Sequence, residues 1–193
     1  MTSILEVEQL DTLSSNASST LTIGGTNTTT IAFGPNVTTT PSSLANTPMF
    51  FGKKVSDQSI SDNTSTKLTG FTTGEMDSDN AFDGTKFTVP SGKAGKYYIG
   101  CELFVNFSGV GNDGYIIQNM IYVNGSQYNE MKHENTNNAT VQFKYYPSYN
   151  YTILNLSASD YVEMYIYLRD TNGGGGVILS TYSTFFGYKL IGA

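Results

Sequence analysis

The stretch from Tyr97 to Phe107 constrains the fold of this 193-residue chain more than any other part of the sequence. Its odd-numbered residues are all apolar: Tyr97, Ile99, Cys101, Leu103, Val105 and Phe107. Its even-numbered residues are mixed and include two aromatic side chains, Tyr98 and Phe104. Because successive side chains in a strand point to opposite faces, this run predicts a long strand whose apolar face lies against a core.

The composition favours β structure with many turns. Charged residues make up 13% of the chain, about half of the usual share of roughly 25%, whereas the chain contains 14 Tyr, 11 Phe and 20 Gly. Thr, Ser and Asn take the place of the Lys, Glu and Ala that helices favour. The net charge is −6 and basic residues do not cluster, so we expect no nucleic-acid partner.

The sequence also bears on membrane insertion, secretion and disulfide bonding. No apolar run approaches the roughly 18 residues needed to cross a bilayer, and the first ten residues are acidic. We therefore expect neither a secretory signal nor membrane insertion. The single cysteine, Cys101, lies on the apolar face of the long strand, which predicts a buried thiol and excludes an internal disulfide.

The N-terminal part differs in character from the rest. Residues 1–11 are either a frayed terminus or a docking segment for a larger assembly. No charged residue occurs from Thr12 to Gly52, and two similar units follow each other at Leu21–Asn27 and Ile31–Val37. Residues 12–46 are therefore predicted to form a short extended or β-rich stem in which three chains intertwine, and the alternative is a disordered Ser/Thr linker.

From residue 47 onward the chain is predicted to be all-β. Pro41 and Pro48 bracket the boundary, and no later segment shows a helical period of 3.6 residues. Without helices to cover a sheet, two sheets must cover each other, which predicts a sandwich or jelly roll over 47–193. The predicted strands are 49–55, 66–73, 86–89, 96–107, 115–123, 140–146, 149–156, 161–169 and 177–191.

The strand at 161–169 has two distinct faces. Its core face is predicted to carry Val162, Met164, Ile166 and Leu168. The other face carries Tyr161, Tyr165 and Tyr167, together with one acid and one base. Tyrosine is favoured at protein–protein contacts because it brings apolar area together with a polar tip. These three tyrosines, with Tyr98 and Phe104, are therefore the predicted interface of a self-associating protein.

Several short motifs follow one another after residue 49: Asn80, Phe82-Asp83, Phe87-Thr88-Val89-Pro90, Gly95-Lys96-Tyr97-Tyr98-Ile99, Ile121–Gly125, Leu156–Val162 and Ser183–Leu190. In this order they resemble the C1q/tumour-necrosis-factor-like jelly roll, over roughly Met49 to Ile191. Ile99 stands where an aromatic residue is usual in that family, and Ser159 stands where the family has Gly. The turn between Pro90 and Gly95 is also longer than usual.

The resemblance implies a homotrimer in which outward aromatic residues pack around a threefold axis and a recognition head stands on a thin stem. This chain lacks the Gly-X-Y repeat and the cysteine pair of animal secreted members. An uncharged stem before such a head is more similar to fibre and surface proteins of phages and large DNA viruses. Fold alone does not fix function, so this step is an analogy.

We therefore expect a non-enzymatic viral structural protein at the virion surface. Its N-terminus would contact other virion or capsid proteins, and exposed loops around 108–113, 133–138 and 173–176 would bind a host receptor or glycan. Two alternatives remain open, a capsid-decorating or cementing protein and a cellular adhesin or carbohydrate-binding module.

Neither catalysis nor a cofactor is expected. The only histidine, His133, lies in the polar segment 129–140, which predicts a solvated loop. No nucleophile elbow, phosphate loop or zinc spacing occurs. The acidic turn with Asp77 and Asp79, followed by Asp83, is the candidate calcium site, although it lacks the glycine and the terminal glutamate of a helix-loop-helix site.

Overall fold

The computed structural model describes residues 46–107, 114–135 and 144–191. The chain divides into two compact units, Met1–Thr39 and Thr40–Ala193, and every described residue belongs to the second. The docking segment 1–11 and the stem 12–46, apart from Asn46, therefore lie outside the described residues.

The described chain is built from short and long β-strands with one 3-10 turn at Ser180–Tyr182. The strands are β1 Met49–Lys53, β2 Gln58–Ile60, β3 Thr66–Lys67, β4 Met76–Asp77, β5 Lys86–Thr88, β6 Gly95–Asn106, β7 Gly114–Val123, β8 Ser126–Glu134, β9 Tyr145–Leu156, β10 Tyr161–Asp170, β11 Gly176–Ile178 and β12 Thr184–Lys189.

The strands form two antiparallel sheets. The front sheet has the order β2-β11-β6-β12-β1-β4, and β9 pairs with the other side of β6. The back sheet has the order β3-β10-β7-β8, and β5 also pairs with β10. The predicted all-β jelly roll is confirmed.

The long strand β6 is the centre of the front sheet. Along its whole length it pairs with β9, and on its other side it pairs with β12 near its start and with β11 near its end. Its apolar face is buried, as is the apolar face of β10. All nine residues proposed for these two core faces are at most 1% exposed: Tyr97, Ile99, Cys101, Leu103, Val105, Val162, Met164, Ile166 and Leu168.

A phenylalanine cluster fills one part of the core. The ring of Phe50 lies 4.8 Å from that of Phe82, 4.7 Å from Phe87 and 4.9 Å from Phe185, measured between centroids. Phe50 comes from β1, Phe87 from β5 and Phe185 from β12, so the cluster joins the front sheet to the back sheet. Stacked and edge-on aromatic pairs stabilise such a core beyond their buried area.

Two predictions in the region 126–156 are wrong. The segment with His133 is not a loop but part of β8, and its polar residues are accommodated because β8 is an edge strand of the back sheet. The strands predicted separately at 140–146 and 149–156 are joined from Tyr145 to Leu156 in one strand, β9, with Pro147 inside it, and residues 140–143 lie outside the described residues. Among the described residues β9 pairs only with β6, and an edge strand tolerates proline.

Two other strand predictions change in extent. The strand expected at 66–73 is only Thr66–Lys67, and the one expected at 177–191 is interrupted by the turn Ser180–Tyr182. Two short strands, β2 and β4, were not expected at all. Strands of two or three residues carry no alternation that a sequence pattern could reveal.

The two ends of the sandwich are distinct. At one end, Asn106 is paired with Tyr145 and Val177, and Gly114 is paired with Asp170. The connections between β6 and β7, β8 and β9, and β10 and β11 therefore begin and end there, and we call this end the tip. The chain enters at the opposite end, the base, where the Lys189 backbone N–H donates to the Pro48 carbonyl at 3.0 Å.

Candidate functional site

The outer face of the front sheet carries two adjacent rows of apolar side chains. In the first row, Tyr98 on β6 is paired with Tyr188 on β12 and with Ile153 on β9. In the second row, Gly100 is paired with Phe186 and Tyr151. We call this surface the aromatic face, and it consists of Met49, Phe51, Tyr98, Gly100, Tyr151, Ile153, Phe186 and Tyr188.

The rings of the aromatic face pack against one another. The centroid of Tyr98 lies 5.5 Å from that of Tyr188 and 6.1 Å from that of Tyr151. Gly100 allows the rings to lie close to the sheet, because a Cβ there would be 2.5 Å from Tyr151 Cδ1 and 2.9 Å from Phe186 Cζ. A larger residue at this position would push both rings away from the strand.

Much of the aromatic face is exposed in a single chain. Ile153 is 56% exposed and Tyr151 is 40% exposed, and the neighbouring Tyr149 on β9 is 45% exposed. Contiguous apolar surface of this kind marks an interaction site more often than scattered surface residues do. The face is therefore the strongest candidate for contact with another protein.

A charged row borders the aromatic face on the side toward the tip. Glu102 accepts a hydrogen bond of 2.8 Å from the Tyr151 hydroxyl. Burial and the Glu102 carboxylate both raise the pKa of Tyr151, because each disfavours a phenolate. In the same row Lys53 pairs with Glu75 at 2.9 Å.

A second, smaller aromatic group lies beyond this row. Phe104 on β6 faces outward, and its ring is 5.2 Å from that of Tyr182 and 6.2 Å from that of Tyr145. Tyr98 and Phe104 thus share the outer face of the front sheet, as their spacing predicts, but Glu102 separates them.

The three tyrosines of β10 lie on the back sheet, on the opposite side of the sandwich. Tyr165 stacks on Tyr122 with centroids 4.1 Å apart, the amine of Lys86 lies 5.0 Å from the ring centre of Tyr161, and the Tyr167 hydroxyl donates to Asn63 at 2.5 Å. Each therefore has a partner within its own chain.

The five residues predicted as one trimer interface therefore occupy two separate surfaces. Tyr98 and Phe104 belong to the front sheet, and Tyr161, Tyr165 and Tyr167 belong to the back sheet. The reason is physical: alternation along a strand shows which side chains point outward but not which sheet contains the strand. Tyr151, Ile153, Phe186 and Tyr188 lie on the candidate face but were not among the residues predicted from the sequence. Their alternation with buried neighbours on β9 and β12 is the signal that identifies them.

The candidate calcium residues are engaged in hydrogen bonds that shape the chain around them. The Asp77 carboxylate accepts the backbone N–H groups of Ala81 at 2.9 Å and Phe82 at 3.0 Å. The Asp83 carboxylate accepts the N–H of Thr85 at 2.8 Å, and Asp79 lies 3.4 Å from the amine of Lys93. Within the described ranges, no three acidic, histidine or cysteine side chains group together as a metal site.

His133 and Cys101 are placed in structural roles. His133 Nδ1 lies 3.1 Å from the Tyr146 hydroxyl. Cys101 Sγ is 3.0 Å from the side-chain oxygen of Asn119, and burial raises the pKa of the thiol to about 12. Asn119 is itself fully buried and accepts a hydrogen bond at its carbonyl from the Asn150 side chain at 2.8 Å. This buried polar group links the two sheets, and hydrophobic patterning did not predict it.

Among the described residues, no helix is long and apolar enough to span a membrane.

No protein-family model and no curated protein sequence matches the chain. Solved structures do match. Two crystal structures of murine APRIL, at pH 8.0 and pH 5.0, each cover 74% of this chain and 98% of their own, both with a TM-score of 0.52 and with 11% and 10% identity. The globular domain of the zebrafish complement 1qA protein covers 74% of this chain and 97% of its own, with 14% identity and a TM-score of 0.47.

At such low identity the likeness concerns the fold alone. The two-sheet topology and the match to murine APRIL agree with the motifs noted in the sequence. The chain therefore has a C1q/tumour-necrosis-factor-like jelly-roll fold.

Proposed function

We propose that the protein is a non-enzymatic homotrimer on the surface of a virus particle, and that its tip attaches the particle to a host receptor or glycan. The observation that carries the trimer is the aromatic face of the front sheet. A single chain leaves Ile153 and Tyr151 largely in water, and association of three copies would remove this apolar surface from water.

The hydrogen bonds along the face fit this assembly. The Tyr151 hydroxyl is already satisfied by Glu102 within the chain, so burial of the ring leaves no unpaired hydroxyl. The tyrosines of the back sheet are covered by Tyr122, Lys86 and Asn63 of the same chain. The trimer contact is therefore assigned to the front sheet alone.

The ends of the sandwich support a direction for recognition. The described chain begins near the base, where the Lys189 N–H donates to the Pro48 carbonyl. The strands that flank the predicted recognition loops end at the tip, and residues 108–113 and 136–138 of those loops lie outside the described residues. Three copies side by side with parallel axes would present three tips together at the end opposite to Pro48. Three individually weak tip contacts would then bind with avidity.

The virion location rests on sequence character. The segment Thr12–Gly52 has no charged residue, as in the stems of viral fibre proteins that the chain resembles. Mass spectrometry of purified particles tests this location. We expect the protein to be recovered with the particles in a fixed ratio to the capsid protein.

Attachment is tested with the labelled full-length protein on candidate host cells and on empty capsids. We expect cell binding that is weakened by Lys144→Glu at the tip and retained by Tyr128→Ser, which changes an exposed residue of β8. Capsid binding without cell binding would contradict attachment and would indicate a cementing role.

A further inference from the structure

The tip of the front sheet contains a pocket that is separate from the aromatic face. A row of cross-strand neighbours runs from Ser59 on β2 through Val177 on β11 to Asn106 on β6. These side chains point outward, because the residues that follow or precede them in the strands, Ile60, Ile178 and Val105, are buried in the core. The pocket, which we call the tip pocket, has a volume of about 270 Å³ and is lined mainly by Ser59, Ile60, Ser61, Asn106, Gly174 and Val177.

The tip pocket lies outside the proposed trimer contact. Glu102 marks the border of the aromatic face, and Asn106 follows it by four residues along β6. At about 3.3 Å per residue, the pocket is about 13 Å beyond that border. Association of three chains through the aromatic face therefore does not involve the residues of the tip pocket.

One wall of the tip pocket is a glycine loop held by a buried carboxylate. Asp170 is 4% exposed and accepts the backbone N–H groups of Asn172 at 2.7 Å and Gly174 at 3.1 Å. It also accepts the N–H of Gly175. Gly175 has φ 75°, and a Cβ there would lie 2.0 Å from the Ile60 carbonyl oxygen, so the loop lies directly against β2. These contacts hold the wall in place without a ligand, which lowers the entropy cost of binding.

The lining of the tip pocket is polar but uncharged. Ser59 and Ser61 contribute hydroxyl groups and Asn106 contributes an amide, and both kinds of group can donate and accept hydrogen bonds. Among the described residues, none that lines the pocket carries a charge. A charged ligand would lose hydration there without an opposite charge to compensate, so the chemistry favours a neutral ligand that is rich in hydroxyl groups.

An exposed aromatic ring adjoins the tip pocket. Tyr145 on β9 is the cross-strand neighbour of Asn106 and is 48% exposed. Its ring lies 6.2 Å from that of Phe104, with 22° between the planes, so the two rings form one extended apolar surface. Lys144 Nζ lies 5.6 Å from the centre of the Tyr145 ring and adds a hydrogen-bond donor beside it. A sugar ring is apolar on its C–H faces and polar at its rim, so it can contact both the aromatic ring and the polar pocket.

We propose that the tip pocket, together with the ring of Tyr145, binds a neutral saccharide. A C–H face of one sugar ring packs on Tyr145, and hydroxyl groups of the saccharide bond to the polar lining of the pocket. The inference rests on the proposed attachment function and names its ligand class, a host glycan that is neutral where it meets the protein. Three tip pockets on one trimer would bind a surface of such glycans with avidity.

Binding of the labelled full-length protein to a glycan array tests this site. The probes are glycans that end in a neutral hexose, an N-acetylhexosamine or a fucose, beside sialylated and sulfated glycans. The variants are Tyr145→Ser, which removes the ring, and Ser59→Phe, which fills the pocket. Their matched controls are Tyr128→Ser and Ser126→Phe, which make the same changes at exposed positions of β8 on the back sheet.

We expect binding to at least one class of neutral glycan, weakened about tenfold or more by Tyr145→Ser and by Ser59→Phe, because each removes a contact with the sugar. Both controls should bind as wild type does, and light scattering should give wild type and every variant the same mass. Binding to sialylated or sulfated glycans alone, no glycan binding, or binding that either pocket variant retains would overturn this site.

The cell-binding experiment separates this inference from the proposed function. Cell binding that Tyr145→Ser and Ser59→Phe both retain would overturn the tip pocket as the site and leave attachment intact. A trimer that binds neither cells nor glycans would overturn attachment and this site together.

Discussion

The Tyr151 hydroxyl donates a 2.8 Å hydrogen bond to the Glu102 carboxylate at the border between the aromatic face and the charged row beside it. This contact fixes the ring of Tyr151 over Gly100, where no Cβ obstructs it. It also places an ionisable hydroxyl next to a negative charge, so the contact is sensitive to high pH.

We expect the fold to lose stability in alkaline solution as Tyr151 ionises. Burial and Glu102 raise its pKa in the folded chain, so the contribution of neutral Tyr151 is fully present below the unfolded pKa of about 10 and is lost as pH rises above it. Denaturant unfolding at pH 8 to 11, at one protein concentration, measures this. The stability of wild type relative to Tyr151→Phe should fall across this range.

Glu102→Gln is the matched control for that pH series. It keeps a hydrogen-bond acceptor beside the hydroxyl but removes the charge, so the alkaline loss of stability should be smaller than in wild type. Equal pH slopes in wild type, Tyr151→Phe and Glu102→Gln would show that this pair contributes nothing to the alkaline response.

The backbone at Ser159 predicts a stabilising substitution. Ser159 has φ 71°, a left-handed conformation, at the position where the resembling family has glycine. A side chain in the left-handed region costs about 1–2 kcal/mol, and replacing serine with glycine removes this cost. Part of the resulting gain in stability is offset because glycine loses more conformational entropy on folding. Ser159→Gly should therefore raise the free energy of unfolding by about 1 kcal/mol.

Ser157→Gly serves as the control for Ser159→Gly. It lies two residues earlier and outside the left-handed region, so glycine there should lower stability or leave it unchanged. If both variants shift the urea midpoint equally, backbone strain at Ser159 is not the cause.

The sequence predicted the fold because long strands and motifs carry strong signals. The alternation of β6 and β10 predicted core faces whose proposed residues are all buried. The left-handed backbone at Ser159 was not predicted, although the family's glycine at that position is its signal. The extent of β8 could not be predicted, since an edge strand with polar residues on both faces has no alternation to detect.

The candidate interface was only half predictable. Parity correctly placed Tyr98 and Tyr165 on outer faces, but sheet membership depends on pairing between strands distant in sequence. Local pattern contains no information about that pairing, so two surfaces were merged into one. The tip pocket depends on β2, a three-residue strand that no periodicity indicates.

Asp77 is expected to stabilise the chain without calcium. Its carboxylate accepts two backbone N–H groups, from Ala81 and Phe82, and hydrogen bonds to charged groups contribute about 1.5–3 kcal/mol each. Asp77→Ala should therefore lower the free energy of unfolding by about 3 kcal/mol, the lower end of the sum for two such bonds. Glu75→Ala, which removes only an exposed ion pair with Lys53, should cost less than about 1 kcal/mol.

Calcium should leave the melting temperature of wild type unchanged, whether added at millimolar concentration or removed with a chelator. A rise in melting temperature with calcium that disappears in Asp77→Ala would contradict this assignment and would restore the acidic turn as a metal site.

The central claim is that three copies associate through the aromatic face of the front sheet. Light scattering of the full-length protein measures it most directly, in wild type, Tyr98→Ser and Tyr165→Ser. We predict a mass of three chains for wild type and for Tyr165→Ser, and a mass of one chain for Tyr98→Ser at micromolar concentration. A monomeric wild type, or a trimer that Tyr165→Ser dissociates and Tyr98→Ser does not, would contradict the account.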